Sequence, residues 1–430
     1  MPHDVPPRLD HLPPVPVPRF SVPHVPTQRH PARRAAAVQR ARTWAPPVLL
    51  ASLLVCSTAF AQRPAASSAK PTDRSGAAAP PSDPAPARIS RIESFERIEF
   101  FTTSGQLSDD GKTWTLPIHG RVYLPVRSTL RKAVIAQTLK TAFGVEPGRE
   151  DKLRFEDRVD QLLGDNKAGR QVVIRLGERT QALALTGADG HFTGSIEVPV
   201  ADLGPEALPE RQGAGRVTFA AVLPPRFVQS FTGTALLIPP QGRSIISDID
   251  DTVKITNVLD RKRMLEATFV KPFVAVPGMA SLYQTWASEG EAVHFLSSSP
   301  WHLYAPLAAF LQEAGFPPAT VTLKKARLTD TSIQYLFADP TKNKPPEIEA
   351  LLKAYPQRTF ILVGDSGEKD PEIYADFWRR YPARIERVFI RNVTGAKPDD
   401  ARFAQVFAGL DAARWQLFLS PDELPRSFRK

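Results

Sequence analysis

The chain has 430 residues, of which 42% are hydrophobic and 23% charged, which excludes a wholly disordered or fibrous protein and allows two or three packed domains. It has one cysteine, which excludes a disulfide framework, and its eight histidines form no cluster with zinc-site spacing. The formal charge of +10 makes nucleic acid or an anionic membrane the first partner to consider, so the position of that charge matters.

Residues 1–61 have the features of an export leader. The apolar run 48–61 follows two arginines and ends with small residues at Ala59 and Ala61. At about 14 residues the run is short for a membrane span, so we predict cleavage near Ala61 and export to the periplasm or the medium. An uncleaved membrane anchor is the alternative. Because the stretch ahead of the run is long for a signal peptide, we expect translation to begin near Val38.

The leader also carries much of the unusual composition. It contains seven arginines, two aspartates and the only cysteine, so about half of the charge of +10 leaves with it. The remaining charge gives only weak attraction to an anionic membrane, and nucleic acid is no longer an expected partner. Residues 62–88, in which alanine, proline and serine dominate, are predicted to be a disordered linker.

Short β-type runs dominate the region 89–240. Asp189 and Gly190 between two of these runs form a hairpin signal, and apolar residues at helical spacing follow the first run. We predict a small, mostly-β, sandwich-like domain with a helical insertion, serving as a packing or docking module. The predicted strands are residues 120–124, 171–176, 182–185, 194–198, 216–223 and 234–238.

The region 241–430 alternates continuous apolar strands with helices. This alternation predicts an α/β domain with a doubly wound parallel sheet, in which ligands bind at the carboxyl ends of the strands. The predicted strands are residues 244–247, 292–296, 320–323, 359–363 and 385–390, with helices at 279–288, 303–314, 346–354 and 372–381.

Polar side chains occur at four successive strand–helix junctions of this predicted sheet. The candidates are Asp248, Asp250 and Thr252 after the first strand, Ser297 after the second, Lys342 or Lys344 before helix 346–354, and Asp365 and Asp370 after the fourth strand. This set suits phosphoryl transfer through an aspartyl-phosphate, because a carboxylate attacks phosphorus without prior deprotonation.

Each group has a chemical role in such a reaction. Asp248 would be the nucleophile, and Asp250 would protonate the leaving alkoxide and later activate water. Ser297 would hydrogen-bond a phosphoryl oxygen, while a lysine would carry developing charge. Placing Asp248 beside Asp365 is costly unless a divalent cation neutralises them, and Mg²⁺ suits an all-oxygen site.

Three runs carry a family resemblance. They are residues 248–254 (Asp-Ile-Asp-Asp-Thr-Val-Lys), 295–301 (Phe-Leu-Ser-Ser-Ser-Pro-Trp) and 363–374 (Val-Gly-Asp-Ser-Gly-Glu-Lys-Asp-Pro-Glu-Ile-Tyr). They resemble the motifs of haloacid dehalogenase superfamily phosphatases and, more narrowly, the catalytic domain of the actin-patch-associated, lipin-like phosphatidate phosphatases. The region 89–240 is more loosely similar to the accessory domain of exported bacterial members.

The resemblance implies a role for each matching residue. The lysine of the family shortly precedes its helix, which favours Lys344 over Lys342. The implied roles are nucleophile for Asp248, general acid/base for Asp250, phosphate binding for Thr252, Ser297 and the lysine, Mg²⁺ binding for Asp248, the Asp250 carbonyl and Asp365, and a supporting role for Asp370.

The predicted domain has room for only a minimal cap, because the segments between its motifs are short. An open site suits a bulky or membrane-embedded phosphomonoester, so the leading hypothesis is hydrolysis of phosphatidate to diacylglycerol and phosphate. The alternative enzyme is an exported phosphomonoesterase of broad specificity acting on soluble or protein phosphates. The alternatives without this chemistry are an envelope module that binds lipid or anions, and a receiver domain, which would lack the motif at 364–370.

Overall fold

The structure is a computed structural model that describes residues 88–125, 129–207, 214–324 and 342–429. These residues belong to one compact unit, which spans Pro80–Lys430. The predicted leader and nearly all of the predicted linker lie outside the described residues. Within the described ranges, no helix combines the length and the apolar character needed to cross a membrane.

The region before residue 240 is built on a mixed sheet of nine strands. These are β1 (Arg97–Phe101), β2 (Thr103–Leu107), β3 (Thr113–Leu124), β4 (Asp165–Asn166), β5 (Val173–Leu176), β6 (Arg179–Ala182), β7 (His191–Pro199), β8 (Gly215–Ala221) and β9 (Thr232–Leu237). Their order is β1-β3-β2-β9-β8-β5-β6, with β4 and β7 also paired to β3, and β2–β9 is the parallel pair. The β-rich prediction is confirmed, but the sandwich is modified because β2 pairs with both β3 and β9 and joins the strands into one sheet.

Alternation of side chains explains the core of this sheet. Along β3, Trp114, Leu116 and Ile118 are buried while the residues between them are partly exposed. One face of the strand therefore points into a hydrophobic cluster that also contains residues of β1, β5, β7, β8 and β9.

The helical insertion predicted in this region is present between β3 and β4. It consists of α1 (Thr129–Phe143) and α2 (Lys152–Leu162). Phe155, Val159 and Leu162 recur at helical spacing on α2 and are buried. They pack against Leu265 and Phe269, which belong to the second half of the chain.

The second half of the chain forms a sheet of six parallel strands. These are β10 (Gly242–Asp248), β11 (Ala292–Pro300), β12 (Ala319–Lys324), β13 (Arg358–Asp365), β14 (Ile385–Arg391) and β15 (Trp415–Phe418). Their order is β12-β11-β10-β13-β14-β15, and every neighbouring pair is parallel. The predicted parallel sheet is confirmed, whereas β15 was not predicted, since a run of four residues is too short to show a strand pattern.

Helices cover both faces of the parallel sheet. They are α3 (Arg261–Leu265), α4 (Met279–Ser288), α5 (Tyr304–Glu313), α6 (Lys344–Ala354), α7 (Asp370–Arg380) and α8 (Ala401–Val406), and a π-helical turn (Glu266–Val270) continues α3. Ile245 packs with α4 and α5, whereas its neighbour Ile246 packs with α6 and α7. Because both faces are covered, the strands are apolar without alternation. The α/β architecture is thereby confirmed.

The strand order fixes where a ligand can bind. After β10 the chain adds β11 and β12 on one side, then crosses to add β13 on the other. The order therefore reverses between β10 and β13, and the crevice at their carboxyl ends is the expected ligand site. Asp248 is the last residue of β10, and Asp365 is the last residue of β13.

Candidate active site

Asp248 and Asp365 lie side by side in the crevice. Ser247 pairs with Val363, so the ends of β10 and β13 are in register. The exposed fraction is 1% for Asp248 and 0% for Asp365. Burial raises the pKa of the Asp248 carboxyl well above its usual value, although the Lys344 ammonium opposes this shift.

The loop after β10 is folded back on itself by Asp251. The Asp251 carboxylate accepts hydrogen bonds from the backbone N–H groups of Thr256 (2.7 Å), Asn257 (2.8 Å) and Val258 (2.6 Å). Asp251 itself has a φ of +52°, a left-handed conformation that an aspartate tolerates better than most residues. This aspartate thus shapes the loop that carries the flanking carboxylates.

Asp250 lies in a hydrogen-bond network separate from that of Asp248. Its Oδ2 accepts from the Ser297 hydroxyl at 2.8 Å, and its Oδ1 lies 2.8 Å from both the Thr256 hydroxyl and Lys254 Nζ. Burial would raise the pKa of Asp250, but Lys254 and the two hydroxyls outweigh it and lower the pKa to about 2. Asp250 is therefore held as a carboxylate.

Of the two candidate lysines, Lys344 reaches the acids. Its Nζ lies 2.8 Å from Asp248 Oδ1, 2.5 Å from Asp370 Oδ1 and 3.1 Å from Glu368 Oε2, and its side chain is 2% exposed. Lys342 is exposed, two residues ahead of it. The position of Lys344 as the first residue of α6 places its ammonium against the carboxyl ends of the central strands.

Thr252 is fully buried beneath the crevice. Its hydroxyl donates to Asp248 Oδ2 at 3.2 Å. Thr252 therefore contacts Asp248 Oδ2, while Asp248 Oδ1 contacts Lys344. The structure thus brings together Asp248, Asp250, Thr252, Ser297, Lys344, Asp365 and Asp370, and leaves Lys342 outside the cluster.

Three carboxylates offer a site for a cation. Oxygen atoms of Asp248, Asp365 and Asp370 lie within 4.8 Å of one another. Asp365 Oδ1 accepts from the N–H groups of Gly367 (2.6 Å) and Glu368 (3.1 Å), but its buried Oδ2 has no hydrogen-bond partner among the described residues. An orphaned carboxylate oxygen in a cluster of hard oxygen donors fits Mg²⁺. Asp370, expected only to support the site, is a member of this trio.

Two residues of this network were missed by the sequence reasoning. Lys254 neutralises Asp250, and Glu368 contributes a further acid to Lys344. Both belong to runs already singled out, and Lys254 follows Asp250 by four residues. A spacing of four residues can indicate an ion pair, and it was the signal available in the sequence. Here, however, the two side chains meet across a turn rather than along a helix.

Part of the chain is similar to a known catalytic domain. Residues 243–392 match the family model described as phosphatidate phosphatase APP1, catalytic domain. Phosphatidate phosphatase APP1 of Saccharomyces cerevisiae is 32% identical over 174 residues, which cover 40% of this chain and 29% of the yeast protein. The uncharacterized protein C29B5.04c of Schizosaccharomyces pombe is 29% identical over 171 residues, covering 39% of this chain and 28% of that protein.

The similarity has clear bounds. The chain spans less than a third of the length of these two curated relatives. Among solved structures, a β-glucuronidase of Parabacteroides merdae is 11% identical with a TM-score of 0.23, covering 68% of this chain and 34% of that one. The residues gathered in the crevice, from Asp248 to Asp370, all lie within the matched segment. The resemblance drawn from the motifs is thus confirmed, and residues 243–392 are similar to the catalytic domain of the lipin-like phosphatidate phosphatases.

Proposed function

We propose that the protein is a Mg²⁺-dependent phosphatidate phosphatase that forms an aspartyl-phosphate, on a domain of the haloacid dehalogenase type. The main support for this proposal is that two carboxylates, two residues apart in the sequence, have separate sets of partners. Asp248 contacts Lys344 at 2.8 Å, while Asp250 contacts Ser297 at 2.8 Å. One is positioned to attack and the other to exchange protons, within a segment similar to the APP1 catalytic domain.

In the first step Asp248 attacks the phosphorus of the bound ester. A bond forms between a carboxylate oxygen and phosphorus, and the bond from phosphorus to the ester oxygen breaks. Asp250 gives its proton to that departing oxygen, so that diacylglycerol leaves as an alcohol. Ser297 donates a hydrogen bond to the phosphoryl group, and Lys344 offsets its developing charge.

In the second step water attacks the phosphorus of the aspartyl-phosphate. The Asp250 carboxylate takes a proton from this water, the bond from phosphorus to Asp248 breaks, and inorganic phosphate leaves. The contacts with Lys254 and Thr256 stabilise the carboxylate form of Asp250 that this step needs. For the first step Asp250 must hold a proton, and a phosphate dianion bound beside it raises its pKa by repulsion.

A bound Mg²⁺ would neutralise the excess acids and shield the approach of an anionic nucleophile to an anionic phosphate. The carboxylates of Asp248, Asp365 and Asp370 would hold the ion, with the Asp250 carbonyl that the resemblance adds. The charge balance supports this proposal, because the carboxylates of Asp248, Glu368 and Asp370 all contact the ammonium of Lys344, and Asp365 lies beside two of them.

We propose in addition that the protein is exported and acts at the surface of an anionic membrane. The composition of residues 1–61 and the lipid substrate proposed above support this location. N-terminal sequencing of protein from the periplasm or medium of an expressing bacterium should find cleavage near Ala61. Full-length protein in the membrane fraction would instead indicate an anchor.

The activity is tested by phosphate release from phosphatidate in mixed micelles, beside p-nitrophenyl phosphate and a nucleotide. Release from phosphatidate should require Mg²⁺ and stop when the ion is chelated. Release from the soluble esters alone would support a phosphomonoesterase of broad specificity. Absence of release from all three substrates would overturn the enzyme proposal and favour a binding module.

A further inference from the structure

A groove opens beside Asp250, and Glu368, which contacts Lys344, also lines it. The space between its walls, including the part that is open to solvent, is about 480 Å³. One half of its lining is polar and consists of Asp250, Thr256, Thr268, Ser298, Ser299 and Glu368. The other half is apolar and consists of Val258, Met264, Leu265, Phe269, Pro300 and Leu303.

The position of Asp250 determines what enters this groove. If Asp250 protonates the leaving oxygen, that oxygen must lie within hydrogen-bond distance of its carboxyl group. The substituent on the oxygen then continues from Asp250 into the groove that Asp250 lines. The walls of the groove therefore face the leaving group rather than the phosphate.

These walls favour a hydrocarbon. Leu265, Phe269 and Leu303 line the groove but are each about 1% exposed, so Met264, which is half-buried and flexible, supplies more of the accessible apolar surface. Ser298 Oγ is buried and has no hydrogen-bond partner among the described residues, although Ser298 lines the groove. Such a hydroxyl could donate to an ester carbonyl oxygen next to the hydrocarbon.

The groove wall is held in place by the helical insertion of the first region. Arg158 on α2 donates from Nη1 to the carbonyl oxygens of Thr268 (2.9 Å) and Lys271 (2.8 Å), at the end of the π-helical turn. Phe155 and Val159 of α2 pack in the same cluster as Phe269. A helix of the accessory region thus supports the back of the groove.

We propose that this groove binds a hydrocarbon chain of the leaving group, and that α2 positions the wall that contacts it. The inference rests on the proposed phosphatase function and assigns the accessory region a part in substrate selection.

The test uses a series of n-alkyl phosphates from ethyl to octyl, kept below their micelle concentrations, and measures kcat/KM for phosphate release. Each methylene group that enters the groove should raise kcat/KM by about two- to fourfold. If phosphate is released from the whole series and kcat/KM does not depend on chain length, the proposal that the groove binds a hydrocarbon is wrong, although the phosphatase function is supported. No release from these esters or from p-nitrophenyl phosphate would overturn both.

A matched pair of variants locates the effect. Met264→Gln keeps the length of the side chain but makes it polar, so the gain per methylene should fall below about twofold. Leu259→Gln makes the same kind of change at a side chain that is 60% exposed and outside the groove, and should keep the wild-type dependence. Met264→Glu, checked for folding by circular dichroism, adds a charge to the wall. A wild-type dependence in both Met264 variants would overturn the proposal.

Discussion

The two sheets bury charged residues in different ways. At the mixed sheet two acids each have their own arginine: Glu96, just before β1, is bonded by Arg170 through two nitrogens, and Glu99 on β1 lies 2.6 Å from Arg121. In the parallel sheet one ammonium, that of Lys344, faces three carboxylates at 3.1 Å or less. Paired charges of this kind maintain a fold, whereas an excess of one sign costs stability and marks a site that binds the opposite charge.

The largest effect is expected for Asp248→Asn. The amide has nearly the same shape but is a poor nucleophile, so kcat should fall at least about a thousandfold. Because the change removes one charge of the acid excess, the melting temperature without Mg²⁺ should not fall. Phosphate release and thermal unfolding measure the two effects. A variant that kept most of its activity would contradict the aspartyl-phosphate mechanism.

Asp250→Asn is expected to slow turnover by about a hundred- to a thousandfold on an alkyl ester, because the amide cannot supply the proton. The loss should be smaller with p-nitrophenyl phosphate, whose leaving group is already acidic. The ratio of kcat on the two substrates is the measurement. An equal loss on both would show that Asp250 acts mainly on water or on structure. The isosteric Thr256→Val, which removes one hydrogen bond to Asp250, is the control for a merely structural effect.

Removing the charge of Glu99 from its pair with Arg121 should lower stability and leave activity unchanged, which is the opposite of the result expected for Asp248→Asn. Glu99→Gln leaves the Arg121 guanidinium buried, and its two Nη atoms have no hydrogen-bond partner among the described residues. We expect a loss of about 3 kcal/mol in the free energy of unfolding, with kcat of the folded enzyme unchanged.

The control for that pair is the double variant Glu99→Leu, Arg121→Met, which should recover most of the lost stability because no unpaired charge remains. Denaturant unfolding of the three proteins makes the comparison. If Glu99→Gln lowered kcat and left stability unchanged, the distinction between the two sheets would be wrong.

The smallest effect is expected for Arg158→Lys, at the contact between the two regions. A lysine lacks the planar guanidinium that stacks on the Phe273 ring at 3.8 Å, and its shorter side chain holds the carbonyl oxygens of Thr268 and Lys271 at the π-helical turn less well, so stability should fall by about 1 kcal/mol. The dependence of kcat/KM on alkyl chain length should weaken, and kcat on p-nitrophenyl phosphate should change little. Arg154→Lys is the matched control, because Arg154 is more exposed and contacts the turn only at 3.3 Å.

The sequence by itself determined the parallel sheet and the positions of its reactive groups. Continuous apolar strands require cover on both faces, and parallel strands bring their carboxyl ends to one edge, so acids after the first and fourth strands were expected at the same edge. The strand order of the structure then makes them neighbours. This reasoning located Asp248, Asp250, Ser297 and Asp365. It depends only on local patterns and on topology, both of which are present in the order of residues.

Only the tertiary structure decided the contacts that depend on orientation. It showed that Lys344, which the resemblance had favoured over Lys342, faces the acids, whereas the side chain of Lys342 is exposed. It paired Lys254 with Asp250 across a turn shaped by Asp251. It also brought α2 against the groove wall, a contact between Arg158 and Thr268 across 110 positions of the chain. Such contacts follow from how the elements pack, which a linear pattern of apolar and polar residues does not specify.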